Sequence, residues 1–151
     1  MHLPELVLYQ PDIPGNTGTI LRLCACLGFT LRVIEPAGFR FDDKSLRRAG
    51  MDYVELAQLR RHENWDAFRE WQVREQRRLI LFTTKAEMAY TEFEFASGDC
   101  LLFGRESGGV PGEVADHCDH RLTIPMRGDA RSLNLAVSVA MVAGEAMRQS
   151  G

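Results

Sequence analysis

Long apolar runs are missing from this 151-residue chain. No stretch approaches the roughly 18 apolar residues a spanning helix needs, so no membrane partner is expected. Met1–Pro14 lacks a basic segment leading into an apolar run, which argues against a signal peptide and for the cytoplasm. Cysteine is sparse, with four residues (Cys24, Cys26, Cys100 and Cys118) in segments that read as buried helix or strand. They are expected to be buried free thiols in a reducing compartment. Cys24 and Cys26 stand about 200° apart on a helix and cannot share a metal. His117-Cys118-Asp119-His120 has no second ligand pair at zinc spacing, so no metal is expected. Several motifs are absent too. Without GxGxxG or GxxxxGK[ST], dinucleotide and P-loop nucleotide binding lose their main support. Without GxSxG or HExxH, acyl transfer and zinc hydrolysis lose theirs.

Lysine is scarce as well: 18 basic residues include only Lys44 and Lys85, and the rest are arginine. Arginine pairs with phosphate through a planar fork, which leaves an RNA partner open despite a net charge of −3. The charge is also uneven. Residues 1–86 carry 13 basic and 11 acidic side chains, whereas residues 87–151 carry 5 and 10. An electropositive face should therefore come from the first half, around Arg40, Lys44, Arg47, Arg48, Arg60 and Arg61.

What is present is a series of short apolar runs, Leu6–Tyr9, Leu31–Ile34, Leu79–Phe82, Cys100–Phe103 and Arg121–Ile124, spaced by helical patterns. Their continuity predicts strands buried on both faces, hence a single α/β domain over 1–151 with a parallel sheet covered by helices. Helices are expected over Thr17–Leu27 closed by Gly28, from a cap at Asn64 to about Glu75, over Pro111–His117 and over Leu133–Met147. A short basic helix capped by Asp42 or Asp43 and ending near Gly50, and a strand at Tyr53–Leu56, complete the pattern. The last helix is apolar nearly all round, so it must be buried nearly all round; a subunit interface accounts for this better than a thick monomer.

Three non-helical segments each follow a strand and should meet at the carboxyl edge of the sheet, where ligands bind. They are Pro14-Gly15-Asn16-Thr17-Gly18 leading to Arg22, Phe103 to Pro111 (FGRESGGVP), and Ile124 to Asn134 (IPMRGDARSLN). Residue chemistry alone reaches a ligand site built from three loops, and no reaction.

The three segments, in this order and spacing, resemble the SPOUT superfamily of RNA methyltransferases, and within it the small TrmL type that methylates the 2′-hydroxyl of the tRNA wobble nucleotide. The resemblance runs from Leu6 to about Gln149 and includes Asp42-Asp43-Lys44, Arg47-Arg48-Ala49-Gly50 and Asp52-Tyr53. It implies a C-terminal deep trefoil knot, a homodimer built on the last helix, and S-adenosylmethionine as methyl donor with S-adenosylhomocysteine as product. It places cofactor contacts at Phe82, Gly104, Ile124, Ser132 and Leu133, and catalytic roles at Arg22, Asn16 and Asn134. An arginine holds its proton to above about pH 12, so Arg22 would position the hydroxyl and stabilise the developing alkoxide rather than act as base. Arg22 could equally pair with Glu106, and Ser132 is well suited to cap the last helix. The chain departs from the family in carrying Gly144 before Glu145, where a tyrosine is usual. The implied substrate is nucleotide 34, a cytidine or modified uridine, of a tRNA anticodon loop. The rival readings are the same chemistry at another tRNA position or on ribosomal RNA, a non-catalytic RNA-binding factor of this fold, and a flavodoxin-like module for a small molecule.

Overall fold

The computed structural model describes residues 3–41, 44, 48, 58–130 and 132–151. Six strands lie parallel in one sheet: β1 (Glu5–Tyr9), β2 (Thr30–Ile34), β3 (Gln58–His62), β4 (Leu79–Phe82), β5 (Cys100–Phe103) and β6 (His120–Leu122), in the order β3-β2-β1-β5-β4-β6. The sheet's central strand β1 is buried throughout because alternate side chains feed two different cores. Leu6 and Leu8 join Leu31, Val33, Ile80, Leu101 and Phe103 on one face. Val7 and Tyr9 join Ile34, Leu79, Leu81 and Leu102 on the other. Helices α1 (Pro14–Leu27) and α4 (Leu135–Ser150) cover the first face, and α2 (Trp65–Arg74) and α3 (Gly112–Asp116) the second. The doubly covered parallel sheet expected from the apolar runs is therefore present.

The bounds of the elements depart in places from the sequence expectation: β6 runs over His120–Leu122 rather than Arg121–Ile124 and the last helix over Leu135–Ser150 rather than Leu133–Met147. Helix α1 begins at Pro14, so Gly15 and Asn16 are helical rather than loop. Proline suits a first helical position, where its missing N–H has no partner to lose and its φ is already set. The other end is as expected: Gly28 adopts φ 85° and returns its N–H to the Cys24 carbonyl. Helix α4 is capped by Asn134, whose side chain accepts from the Val137 N–H at 3.2 Å, and not by Ser132, which is exposed. The strand β3 was not foreseen. It is an edge strand with Arg60 and Arg61 exposed, so it has no apolar run to announce it. The Asn64 cap does form, accepting from the Ala67 N–H at 2.8 Å. The helix expected over Asp42 to Gly50, Arg47 with it, and the strand at Tyr53–Leu56 lie outside the described residues.

Helix α4 buries Val139, Val142, Ala143 and Ala146, but its outward face keeps Val137 49% and Met141 40% exposed in the single chain. Ala140 and Gly144 share that exposed face, and a side chain at Gly144 would enter open space. Of the thiols, Cys24 and Cys100 are buried and Cys118 is half-buried, and burial pushes all three up to about 12. Cys26 corrects the expectation of uniform burial: it sits on the exposed side of α1.

Candidate active site

All six strands end at one edge of the sheet, and the segments after β1, β5 and β6 meet there. After β1, Gln10 turns the chain with φ 42°, and Pro11 accepts from Gly38 of the segment after β2. After β5, Arg105 and Gly109 exchange backbone hydrogen bonds of 3.1 and 2.9 Å, closing a tight loop. That closure requires glycine at 104, where a Cβ would lie 2.5 Å from the Gly109 Cα. The Arg105 guanidinium rests 5.2 Å from the centre of the Tyr9 ring and donates from Nε to the Gly109 carbonyl of its own loop at 3.3 Å. After β6, Thr123 bridges to Ala89, and the chain runs through Ile124 to the Asn134 cap.

A chain of side-chain hydrogen bonds ties these segments together. Asn134 donates from Nδ2 to Asn16 Oδ1 at 3.0 Å, and Asn16 donates from Nδ2 to Glu106 Oε2 at 3.2 Å. The other Glu106 oxygen accepts the Asp12 backbone N–H at 3.0 Å. The direction of the chain is fixed at its start. The Val137 N–H can only donate, so Asn134 must turn its oxygen to α4 and its amide nitrogen to Asn16. Asn16 then has only N–H to offer Glu106. Four residues from three distant segments thus fix the mutual positions of the β1 loop, the β5 loop and the N-termini of α1 and α4.

The acid end of this chain is electrostatically unusual. Burial raises the Glu106 carboxyl above its ordinary value, and a hydrogen bond with the Asp12 carboxyl raises it further. Burial also pushes Asp12 upward, but hydrogen bonds from Glu106 and Ser107 outweigh it and leave Asp12 below its ordinary value. The Asp12 Oδ1 atom is buried with no hydrogen-bond partner. A buried carboxylate oxygen without a donor is costly unless a proton serves it.

Three of the five expected cofactor contacts come to this edge on the adjacent strands β5, β4 and β6. Phe82 ends β4 and stacks on Phe103, with centroids 4.8 Å apart and planes 8° from parallel. Gly104 follows β5 and half-buried Ile124 follows β6. Ser132 and Leu133 are exposed on the approach to α4. An apolar floor beside bare glycine backbone fits an adenosyl group, whose base needs flat apolar contact and whose edges need main-chain groups. Arg22 lies on the exposed side of α1, six residues past Asn16 and about 120° around the helix. Glu106 takes its hydrogen bonds from Asp12 and Asn16.

The two acids were not singled out by sequence reasoning as a pair. The one available signal was their placement, each within a few residues of a strand's carboxyl end. Of the basic cluster, Arg40, Lys44, Arg48 and Arg60 are exposed, and Arg61 is committed to Glu35 at 2.6 Å and to the Phe41 ring at 4.2 Å. The His117–His120 stretch is dispersed. His117 contacts the Glu113 carbonyl, Cys118 donates to Val114, Asp119 caps the Leu79 N–H and His120 lies against Phe93. Among the described residues, no three His, Cys, Asp or Glu side chains converge as metal ligands, and no helix is long and apolar enough to cross a membrane.

Comparison with known proteins places this geometry. The profile of the SpoU rRNA Methylase family matches residues 4–144. A tRNA (cytidine(34)-2'-O)-methyltransferase of Beijerinckia indica is 57% identical over 146 residues, covering 97% of this chain and 91% of the relative. A solved structure described as "Structural insights into the 2-OH methylation of C/U34 on tRNA" superposes with a TM-score of 0.93 at 46% identity, covering 99% of this chain and 97% of that one. The SpoU methyltransferase AviRb from Streptomyces viridochromogenes, in complex with the cofactor AdoMet, superposes with a TM-score of 0.88 at 27% identity, covering 99% of this chain and 59% of that one.

Proposed function

This chain belongs to the SpoU rRNA methylase family, and we propose that within it the protein transfers a methyl group from S-adenosylmethionine to the 2′-hydroxyl of nucleotide 34 in tRNA. The observation that carries the proposal is the match, over nearly its whole length, to relatives and a structure assigned to that reaction. The geometry agrees with it: the hydrogen-bonded segments at the carboxyl edge stand beside an apolar floor suited to the cofactor.

When bound, S-adenosylmethionine supplies a methyl group already activated on a sulfonium. Phe82, Gly104 and Ile124 would hold the adenosyl part, and Ser132 and Leu133 would close over it from the segment before α4. Arg22 orients the ribose hydroxyl and stabilises the charge that grows on its oxygen, which a permanently protonated guanidinium does well. Asn16 and Asn134 hold the helix that carries Arg22 against the third segment, so that the reacting atoms meet in line. No step calls on a metal.

The exposed stripe of Val137, Met141 and Gly144, with exposed Leu133 just before the helix, supports a homodimer through α4. The whole chain is one catalytic domain, and the likeness to its relatives extends the expectation of a C-terminal trefoil knot to it. RNA docks on the exposed arginines of the first half, which offset a net charge of −3 locally. The site of action is the cytoplasm. Mapping 2′-O-methylation across total tRNA in a deletion strain tests the assignment: methylation at position 34 should disappear from a subset of tRNAs, and an unchanged position 34 refutes it.

A further inference from the structure

Gln149, in the last turn of α4, has its amide oxygen and both amide hydrogens engaged. Oε1 accepts the Phe95 N–H at 2.8 Å, and Nε2 donates to the Phe93 carbonyl and to Glu145 Oε2, each at 2.8 Å. The Phe95 N–H can only donate, so the orientation of the amide is fixed and its two hydrogens meet the two remaining acceptors. Gln149 thus pairs with residues 93–95 as a residue of a parallel strand would, taking one N–H and one C=O from the same side. Arg148 holds Glu145 through Nε and Nη2, both at 2.8 Å, so the acceptor beneath the amide is itself fixed.

Residues 93–95 have few other tethers. Arg78 donates to the Glu94 carbonyl at 3.2 Å, and the Phe93 ring lies against Arg78 and His120. A cavity of about 380 Å³, lined by residues 91–95 and Gln149, opens beside them. What the segment carries is Phe95, whose ring centre lies 6.4 Å from that of Phe82. Phe82 therefore has two aromatic neighbours. Phe103 belongs to the adjacent strand β5, whereas Phe95 is fixed only as firmly as its segment.

We propose that Gln149 is a positioning residue for the cofactor: its amide clips residues 93–95 to α4, and through Phe95 that clip sets the Phe82 ring at the floor of the adenosyl site. The proposal rests on the methyltransferase reading above. Gln149 acts through Phe95 and at a distance from the hydroxyl that receives the methyl group, so it governs cofactor affinity and not the transfer step. Coupling between two sites is reciprocal, so bound cofactor must also tighten the clip.

The test uses the full chain. Calorimetry measures S-adenosylmethionine affinity, and single-turnover transfer to tRNA at saturating cofactor measures the chemistry, for the unaltered protein, Gln149→Leu, Phe95→Leu and the double variant. Leucine at 149 keeps much of the volume and loses the amide. Each single substitution should weaken affinity about tenfold, the double variant should lose no more than about tenfold, and the rate at saturation should stay within about twofold. Ser150→Ala removes a hydrogen bond to the Ala146 carbonyl in the same turn and should leave affinity unchanged. In the unaltered protein, saturating cofactor should slow hydrogen exchange of the Phe95 amide about tenfold and leave the Ala67 amide, at the cap of α2, as it was. A folded Gln149→Leu with parent affinity, or losses that multiply in the double variant, overturns the proposal. So does an equal loss in Ser150→Ala, which would make Gln149 a stabiliser of the helix end. A Phe95 amide indifferent to cofactor overturns it even if the variants do not fold. An unaltered protein that binds no S-adenosylmethionine overturns the methyltransferase reading and the proposal together, whereas binding indifferent to Gln149 overturns the proposal alone.

Discussion

The two edges of the sheet treat charge in opposite ways. Where the strands begin, the two buried acids, Glu5 and Asp99, each meet a cation. Glu5 accepts from Arg32 at 2.8 Å and from Arg77 at 2.6 Å, while the Arg32 guanidinium lies 3.4 Å from the centre of the Trp71 ring. Beside it Asp99, almost fully buried, takes both oxygens' worth of hydrogen bonds from Arg78 at 2.6 and 2.9 Å. Where the strands end, the more exposed Glu35–Arg61 pair is matched, but Asp12 and Glu106 bring two acids together, one with an orphaned oxygen. Matched charges at the first edge close the sheet and hold β2 to β1 and β4 to β5. Mismatched acids at the second edge cost stability, and chains keep such arrangements where chemistry uses them.

The contrast can be broken from either side. The largest effect is expected from Glu5→Ala, which strands two partly buried guanidinium groups and should cost about 3–5 kcal/mol in urea unfolding. Methyl transfer per folded molecule should stay near the parent rate, because the edge proposed to hold the active site is untouched. Arg22→Ala should do the reverse. It should slow transfer by roughly 10²–10³-fold, about 2.7–4 kcal/mol of transition-state stabilisation, and leave the midpoint of unfolding and calorimetric cofactor affinity nearly unchanged. Asn134→Ala should cost about 1 kcal/mol in stability through the lost cap and also slow transfer through Asn16. Ser132→Ala, two residues away and not the cap, should stay within about 0.5 kcal/mol in the same unfolding assay.

The smallest effect concerns acid stability. Arg148 and Gln149 hydrogen-bond the Glu145 carboxyl and hold it down to about 2, against an ordinary value of 4.5. A carboxyl lowered in the folded state stabilises fully above its unfolded value and loses that contribution as pH falls through 4.5 toward 2. Unfolding midpoints of Glu145→Gln should therefore converge on those of the parent as the pH is lowered across that window. Glu106 works in the opposite sense, since its raised carboxyl favours the fold at low pH and loses that contribution as pH rises above 4.5.

The runs LVLY, LILF and CLLF announced β1, β4 and β5 because parallel strands covered on both faces have no polar side to show. The strand QLRRH hid for the same reason reversed: pairing on one side only, it presents arginines to water. Helix α1 was read three residues short because Pro14-Gly15-Asn16 has loop composition and Ile13 offers no side-chain cap. The gathering of three segments at one edge followed from reading the strands as parallel, whereas Phe82, Gly104 and Ile124 were nominated by the family resemblance and lie at the ends of β4, β5 and β6 there. Which side chains meet there did not follow. Asp12 and Glu106 are 94 residues apart, and their contact exists only because β5 lies beside β1.

The most direct measurement supplies the purified protein and labelled S-adenosylmethionine with two anticodon stem-loops that differ only at nucleotide 34, one carrying ribose there and the other 2′-deoxyribose. Label should pass to the ribose form and stay off the deoxy form. Equal labelling of both, or of neither in the presence of bound cofactor, would contradict transfer to the 2′-hydroxyl of nucleotide 34.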